Sequence, residues 1–136
     1  MDFSWERLKP VFDAAPVVVF ARDAQGRYLY VNRAFEALIG KSLEEIRGRT
    51  LDEVLPPEVA AAVRDSDRQV LEERKGVVFE AIGLYGSGRR TLMNFKFPLI
   101  GADGEPDALF GFGTDVTERR RRWRCPAPRA TPCSRS

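Results

Sequence analysis

Residues 77–85 read VVFEAIGLY, residues 90–100 RTLMNFKFPLI and residues 107–120 DALFGFGTDVTERR. β-Branched and aromatic residues alternate with small or polar ones along each. Gly86-Ser87-Gly88 and the GADGEP of 101–106 lie between them, so the three segments predict antiparallel strands joined by hairpins. The last strand closes on Asp115-Val116-Thr117-Glu118, a helix start signal. Asp115 accepts from the N–H three residues on while Glu118 reaches back, and the sheet ends by launching a helix.

Working outward, Trp5, Leu8, Phe12 and Ala15 form a helical stripe interrupted by Pro10. One helix begins at Pro10 or two meet there, and Pro16 ends it. Val17 to Arg22 is extended, Asp23-Ala24-Gln25-Gly26 suits a type I turn, and Arg27 to Asn32 returns as a second strand. Asn32 caps a helix with Ala34, Phe35, Leu38 and Ile39 on one face, closed by Gly40 in the left-handed region. Ser42 with Glu45, then Thr50 with Glu53, make capping boxes over two further short helices, the first stopped by Gly48. Pro57 opens a longer helix through Arg74, ended by Gly76, with Val59, Val63, Val70 and Leu71 inward.

Composition sets the bounds on this order of two strands, four helices and three strands. A chain of 136 residues, 43% hydrophobic and 31% charged, suits one α+β domain with a single core. The longest apolar run, Val17 to Ala21, is far below a membrane span, and the acidic start is no signal peptide, so a cytoplasmic location is expected. Seven of the 22 basic residues and none of the 20 acidic ones lie from Arg119 onward, which leaves residues 1–118 with a net charge of −5. That distribution argues against a nucleic-acid footprint on the folded part.

The combination of FARDAQGRYLYVNRAFEALIGKSLEEIRG over residues 20–48 with a closing DVTERR resembles a PAS domain. What the resemblance implies is a PAS fold: a five-stranded antiparallel sheet with helices packed on one face, enclosing a small cavity in many members. The organisation expected is an N-terminal helical cap over 1–15, a PAS sensory domain over 16–118, and a basic connector start with a disordered tail over 119–136. Members of the family sense ligands, light, redox state or oxygen, or only dimerise, and pass the state to an attached effector.

Missing residues narrow these options. The sequence has no histidine, which excludes a histidine-ligated haem. Flavin-binding relatives need a reactive cysteine in Gly-x-Asn-Cys-Arg, and the matching stretch reads Gly48-Arg49-Thr50-Leu51-Asp52. Neither cofactor is expected, nor a metal, since Cys125 and Cys133 lie in the tail without other soft ligands. Gly86-Ser87-Gly88 lacks the spacing and the base of a nucleophile elbow, and Gly111-Phe112-Gly113 lacks the third glycine of a dinucleotide site. Asp65 and Asp67 read as a solvated helix face, and no enzymatic activity is expected.

Strand parity decides what lines a cavity. Composition alone sends Met93, Phe95, Phe97 and Leu99 to the core and leaves Asn94 and Lys96 in water. Resemblance to flavin-binding members argues the reverse. It turns Leu92, Asn94 and Lys96 inward with Phe20, Arg22, Gly111 and Gly113, and places Leu51 where those members carry the reactive residue. Phe95, Phe97, Phe110 and Phe112 then form an outward patch that Trp5, Leu8, Val11 and Phe12, or a second subunit, must cover. This second parity is favoured because it pairs two otherwise unexplained apolar surfaces. It makes an anionic or strongly hydrogen-bonding small molecule the expected ligand. The plainer alternative is that Lys96 only pairs with Glu80 across the strands.

The expectation is thus a sensory domain that binds a small ligand, dimerises, and passes its state to a covalently attached effector through Asp115, Thr117 and Glu118. No nucleic-acid or membrane partner is expected. The alternative is a ligand-free dimerisation module.

Overall fold

The computed structural model describes residues 5–119, with the side chain of Trp5 outside the described part. A first helix, α1 (Trp5–Ala14), precedes the hairpin of β1 (Val18–Asp23) and β2 (Tyr28–Val31). Then come α2 (Arg33–Ile39), α3 (Leu43–Ile46), α4 (Leu51–Val54) and α5 (Pro57–Glu73), followed by β3 (Val77–Tyr85), β4 (Gly88–Ile100) and β5 (Pro106–Asp115). The sheet is antiparallel in the order β2-β1-β5-β4-β3, so the last strand is inserted beside the first.

Local chemistry sets most boundaries. The Asp23 carboxylate accepts from the N–H groups of Gln25 and Arg27, fixing the β1–β2 turn. Asn32 caps α2 by accepting from the Phe35 N–H at 3.1 Å, and Gly40 ends it at φ 85°. The Ser42–Glu45 box is complete. At α4 it is half formed: Glu53 accepts from the Thr50 N–H and hydroxyl, while the Glu53 N–H bonds the Thr50 carbonyl.

Two boundaries differ from the sequence reading. α1 runs straight through Pro10 as one helix, because only one intrahelical bond is lost there and Phe12 has a surface to cover. α5 ends on Arg74 rather than Gly76. Arg74 adopts φ 57°, and its guanidinium reaches the Gly104 carbonyl and the Glu105 carboxylate, contacts that hold a non-glycine residue in the left-handed region.

Helices α2 to α5 cover one face of the sheet and enclose the main core, with Phe20, Val31, Val59, Val70 and Leu109 at its centre. The parity of β4 is the one implied by the resemblance. Leu92, Asn94 and Lys96 are buried under the helices, and Phe95 and Phe97 lie on the opposite face. There they pair with β5: Phe95 stacks on Phe112 with ring centroids 5.3 Å apart, and Phe97 meets Phe110 at 5.6 Å. α1 covers only part of this outer face. Phe12 lies 5.7 Å from Phe110 and 6.3 Å from Tyr30, with Leu8 half-buried and Val11 exposed. Phe95, Phe97 and Phe112 remain 37–40% exposed.

Candidate functional site

Beneath the helices lies a cavity of about 30 Å³, room for a water or two. Its walls are mainly aromatic and aliphatic, and the polar side chains on it are Arg22, Tyr28, Tyr85, Asn94 and Lys96. Three of these belong to one buried ionic cluster. Arg22 makes a fork to Asp67 of α5 through Nε and Nη2, both at 2.8 Å, and Nη1 donates to the Tyr28 hydroxyl at 3.2 Å. Lys96 Nζ donates to the same carboxylate at 2.7 Å and to Ser66 Oγ, and lies 4.2 Å from the Phe79 ring centre. The Arg22 guanidinium sits 4.6 Å from the Phe20 ring centre.

Burial is nearly complete: Arg22 is 2% exposed, Lys96 1% and Asp67 6%. Desolvation pushes the Lys96 ammonium down to about 8, with the Asp67 charge opposing the shift and the Arg22 charge adding to it. Burial alone would push the Asp67 carboxyl up, but the charges and hydrogen bonds of Arg22 and Lys96 hold it below the ordinary carboxylate value. Burial raises the Tyr28 phenol to about 12, so it stays neutral. Two cations against one carboxylate leave the cluster with a formal charge of +1.

The remaining two polar groups are differently placed. Asn94 and Tyr85 are each 5% exposed and line the cavity; among the described residues every fully buried side-chain nitrogen or oxygen has a hydrogen-bond partner, so any unpaired atom of these two keeps accessible surface. Here they present donor and acceptor capacity to the cavity.

Of the residues expected to line the cavity, Phe20, Arg22, Leu92, Asn94 and Lys96 do so. Gly111 and Gly113 do not. A Cβ on Gly111 would sit 2.5 Å from the Phe20 ring, and one on Gly113 would sit 2.3 Å from Asn94 Oδ1. Each glycine pairs across the sheet with the residue it admits, and its role is to let that side chain lie flat over β5. Leu51 is buried in the core near Gly26, away from the cavity wall. Lys96 does not pair with Glu80, because strand alternation puts Glu80 on the outer face while Lys96 turns to α5. Asp67 is not solvated as its neighbour Asp65 is. It falls between Val63 and Val70 on the inward stripe of α5, and that spacing could have identified it.

The exit of β5 also differs in detail. Asp115 Oδ1 accepts from the Thr117 N–H at 2.9 Å and from its hydroxyl, a bond two residues on rather than three. Thr117 is buried, and its Oγ1 accepts from the Thr91 N–H of β4 at 2.9 Å. The exit is thereby tied to the start of the strand that carries Asn94 and Lys96. Glu118 is exposed. No helix among the described residues is long and apolar enough to cross a membrane.

A five-stranded antiparallel sheet with helices over one face and a small cavity between them defines a two-layer α+β domain. The sequence matches the family described as PAS fold over residues 12–121, and the chain belongs to that family. It is 34% identical over 115 residues to the aerobic respiration control sensor protein ArcB of Escherichia coli, covering 84% of this chain and 15% of that protein. It is 29% identical over 111 residues to a diguanylate cyclase of Vibrio cholerae, covering 79% of this chain and 35% of the cyclase. The chain therefore spans a minor part of these relatives. Among solved structures, VqmA in its ligand and DNA complex from Vibrio cholerae superposes with a TM-score of 0.75 at 28% identity, over 85% of this chain and 53% of that one. The PAS domain of a Colwellia psychrerythraea protein shares the fold, with a TM-score of 0.72 at 20% identity over 84% and 98% of the two chains.

Proposed function

We propose that this chain is a cytoplasmic sensory domain, without catalysis of its own, that binds a small hydrogen-bonding ligand and regulates an attached effector. The observation that carries the reading is the pair of polar side chains, Asn94 and Tyr85, on the wall of a cavity otherwise lined by apolar and internally paired side chains. A cavity of about 30 Å³ favours a ligand far smaller than haem or flavin. VqmA, similar over most of this chain, has also been solved bound to DPO, which supports a ligand-binding reading.

Native mass spectrometry of the purified protein tests this. The expected result is a small-molecule adduct on the wild type that is lost, or weakened about fivefold, in Asn94→Leu, since one hydrogen-bonding group contributes about 1 kcal/mol net. A wild type with no adduct sinks the ligand reading. A second reading, a ligand-free dimerisation module, is favoured by the half-exposed Phe95, Phe97 and Phe112. The same spectrum distinguishes the two, because that module gives dimers without an adduct.

Output is proposed to leave through Asp115 and Thr117. Thr117→Val removes the acceptor for the Thr91 N–H and the donor to Asp115, and is expected to cost about 1–2 kcal/mol in urea unfolding. In a fusion that places a reporter kinase after Arg122, the variant is expected to bind ligand normally yet lose its effect on the kinase. Unchanged regulation would show that Thr117 only closes the domain.

A further inference from the structure

Asp67 occupies an unusual position relative to two spaces in the molecule. Outside the cavity, a surface groove of about 330 Å³ runs between the β1–β2 turn, the start of α4 and the exposed flank of α5. Asp67 lines that groove, whereas Arg22 and Lys96, the two cations that hold its carboxylate, line the cavity. Asp67 thus lies between groove and cavity, with its carboxylate bound on the cavity side. It is fastened only by ionic hydrogen bonds to groups on β1 and β4, and the rim of the groove is closed by a further ion pair between Arg64 of α5 and Asp52 of α4.

We infer that the Arg22–Lys96 pair is a receptor site for a small carboxylate or similar monoanion, that Asp67 is its tethered internal occupant, and that a ligand entering from the groove takes Asp67's place. This deepens the ligand reading above and rests on it. Three observations carry it. The fork of Arg22 with Lys96 alongside is the arrangement that recognises a planar two-oxygen anion, and it already holds one. The cluster has a formal charge of +1, which favours an anion at the site itself, while the groove leading to it carries Asp23, Asp52 and Glu72 beside Arg64 and Arg68. Finally, the cavity of about 30 Å³ holds only a water or two as it stands, and moving the Asp67 carboxylate toward the groove enlarges it enough for a small ligand. Asn94 and Tyr85 then meet the uncharged part of the ligand.

The test removes the tethered anion and offers a free one. Asp67→Ala is titrated with sodium formate, and with sodium chloride at matched ionic strength, while thermal unfolding is followed. The expected result is a saturable rise in midpoint with formate, about 5 °C at tenfold excess over its dissociation constant, and a smaller, unsaturable response to chloride. The wild type, in which formate must displace the tethered Asp67, is expected to show the same preference only at much higher formate concentrations. Should Asp67→Ala fail to fold in chloride, Asp67→Ala/Lys96→Met, with a single cation left, serves in its place with the same expected preference for formate. Equal responses to the two salts in the foldable variant, or a wild type that prefers formate as strongly, overturn the inference. An adduct-free wild type removes the ligand reading but leaves the formate response intact, so the two failures are distinguishable.

Discussion

Replacing Asp67 by alanine is expected to destabilise the domain by about 3–5 kcal/mol, read from urea or guanidinium unfolding. The substitution leaves two desolvated cations without a counter-charge, and breaking a buried ion pair from one side costs that much. The triple change Arg22→Met, Asp67→Leu, Lys96→Met is expected to be close to wild type or more stable, because the attraction within such a cluster little more than offsets the desolvation of its members. A triple variant as unstable as Asp67→Ala would show that the cluster's shape, not its charge balance, is what matters. The pH dependence follows from the two carboxyl and ammonium shifts. The folded value of Asp67 lies below its ordinary one, so its contribution is present above the ordinary carboxylate range and is lost as pH falls through the folded value. Lys96 is shifted in the same direction, though by burial rather than by its partners. Its folded value, about 8, lies below the ordinary 10.5, so between the two the unfolded chain binds more protons and stability contributed at this site rises with pH. Subtracting the pH profile of Lys96→Met from that of wild type isolates this slope.

Asn32→Ala is expected to cost about 3 kcal/mol or more. This side chain is fully buried and serves four backbone groups at once. Its Oδ1 accepts from the Val19 N–H at 3.0 Å and the Phe35 N–H at 3.1 Å, and its Nδ2 donates to the Phe12 carbonyl at 2.7 Å and the Val17 carbonyl at 2.8 Å. Alanine takes a partner from all four, though the Phe12 carbonyl keeps the Ala15 N–H at 3.3 Å, and an unmatched buried polar group costs roughly 1–3 kcal/mol. Asn32→Asp separates the functions: both N–H groups keep an acceptor, while a carboxylate faces two carbonyl oxygens. Its expected signature is selective release of α1, seen as rapid amide exchange over residues 5–14 with the protection of β1, β4 and β5 retained. Uniform loss of protection would show that α1 is not separable from the fold.

How much of this was legible depended on the sequence distance between partners. The turn at Asp23, the cap at Asn32 and the box at Ser42 join residues within four positions of each other, and their motifs name both partners. The cluster was half legible. Resemblance turned Arg22 and Lys96 inward, but their counter-ion lies 45 and 29 residues away on α5. An isolated Asp beside Asp65 is indistinguishable from a surface charge until its place between Val63 and Val70 is weighed. Composition would have chosen the wrong face of β4, since Phe95 and Phe97 are more apolar than Asn94 and Lys96. Hydrophobicity records only that a side chain leaves water, not which of two covered faces receives it. Arg74 was missed for a related reason: its left-handed backbone is sustained by Gly104 and Glu105, thirty residues on.

The insertion of β5 beside β1 has a mechanical consequence. Val18, where the chain enters the sheet, is paired with Gly113, two residues before the chain leaves it, so the incoming and outgoing segments are next to each other and point the same way. Tension that draws these segments apart acts across the β1–β5 ladder, opening its rungs one at a time from Val18–Gly113 inward, instead of shearing them all together. Such a joint yields at low force. The first rungs to part are those next to the Thr117 tether and the Asn32 hub, while the buried ion cluster lies farther along the strands.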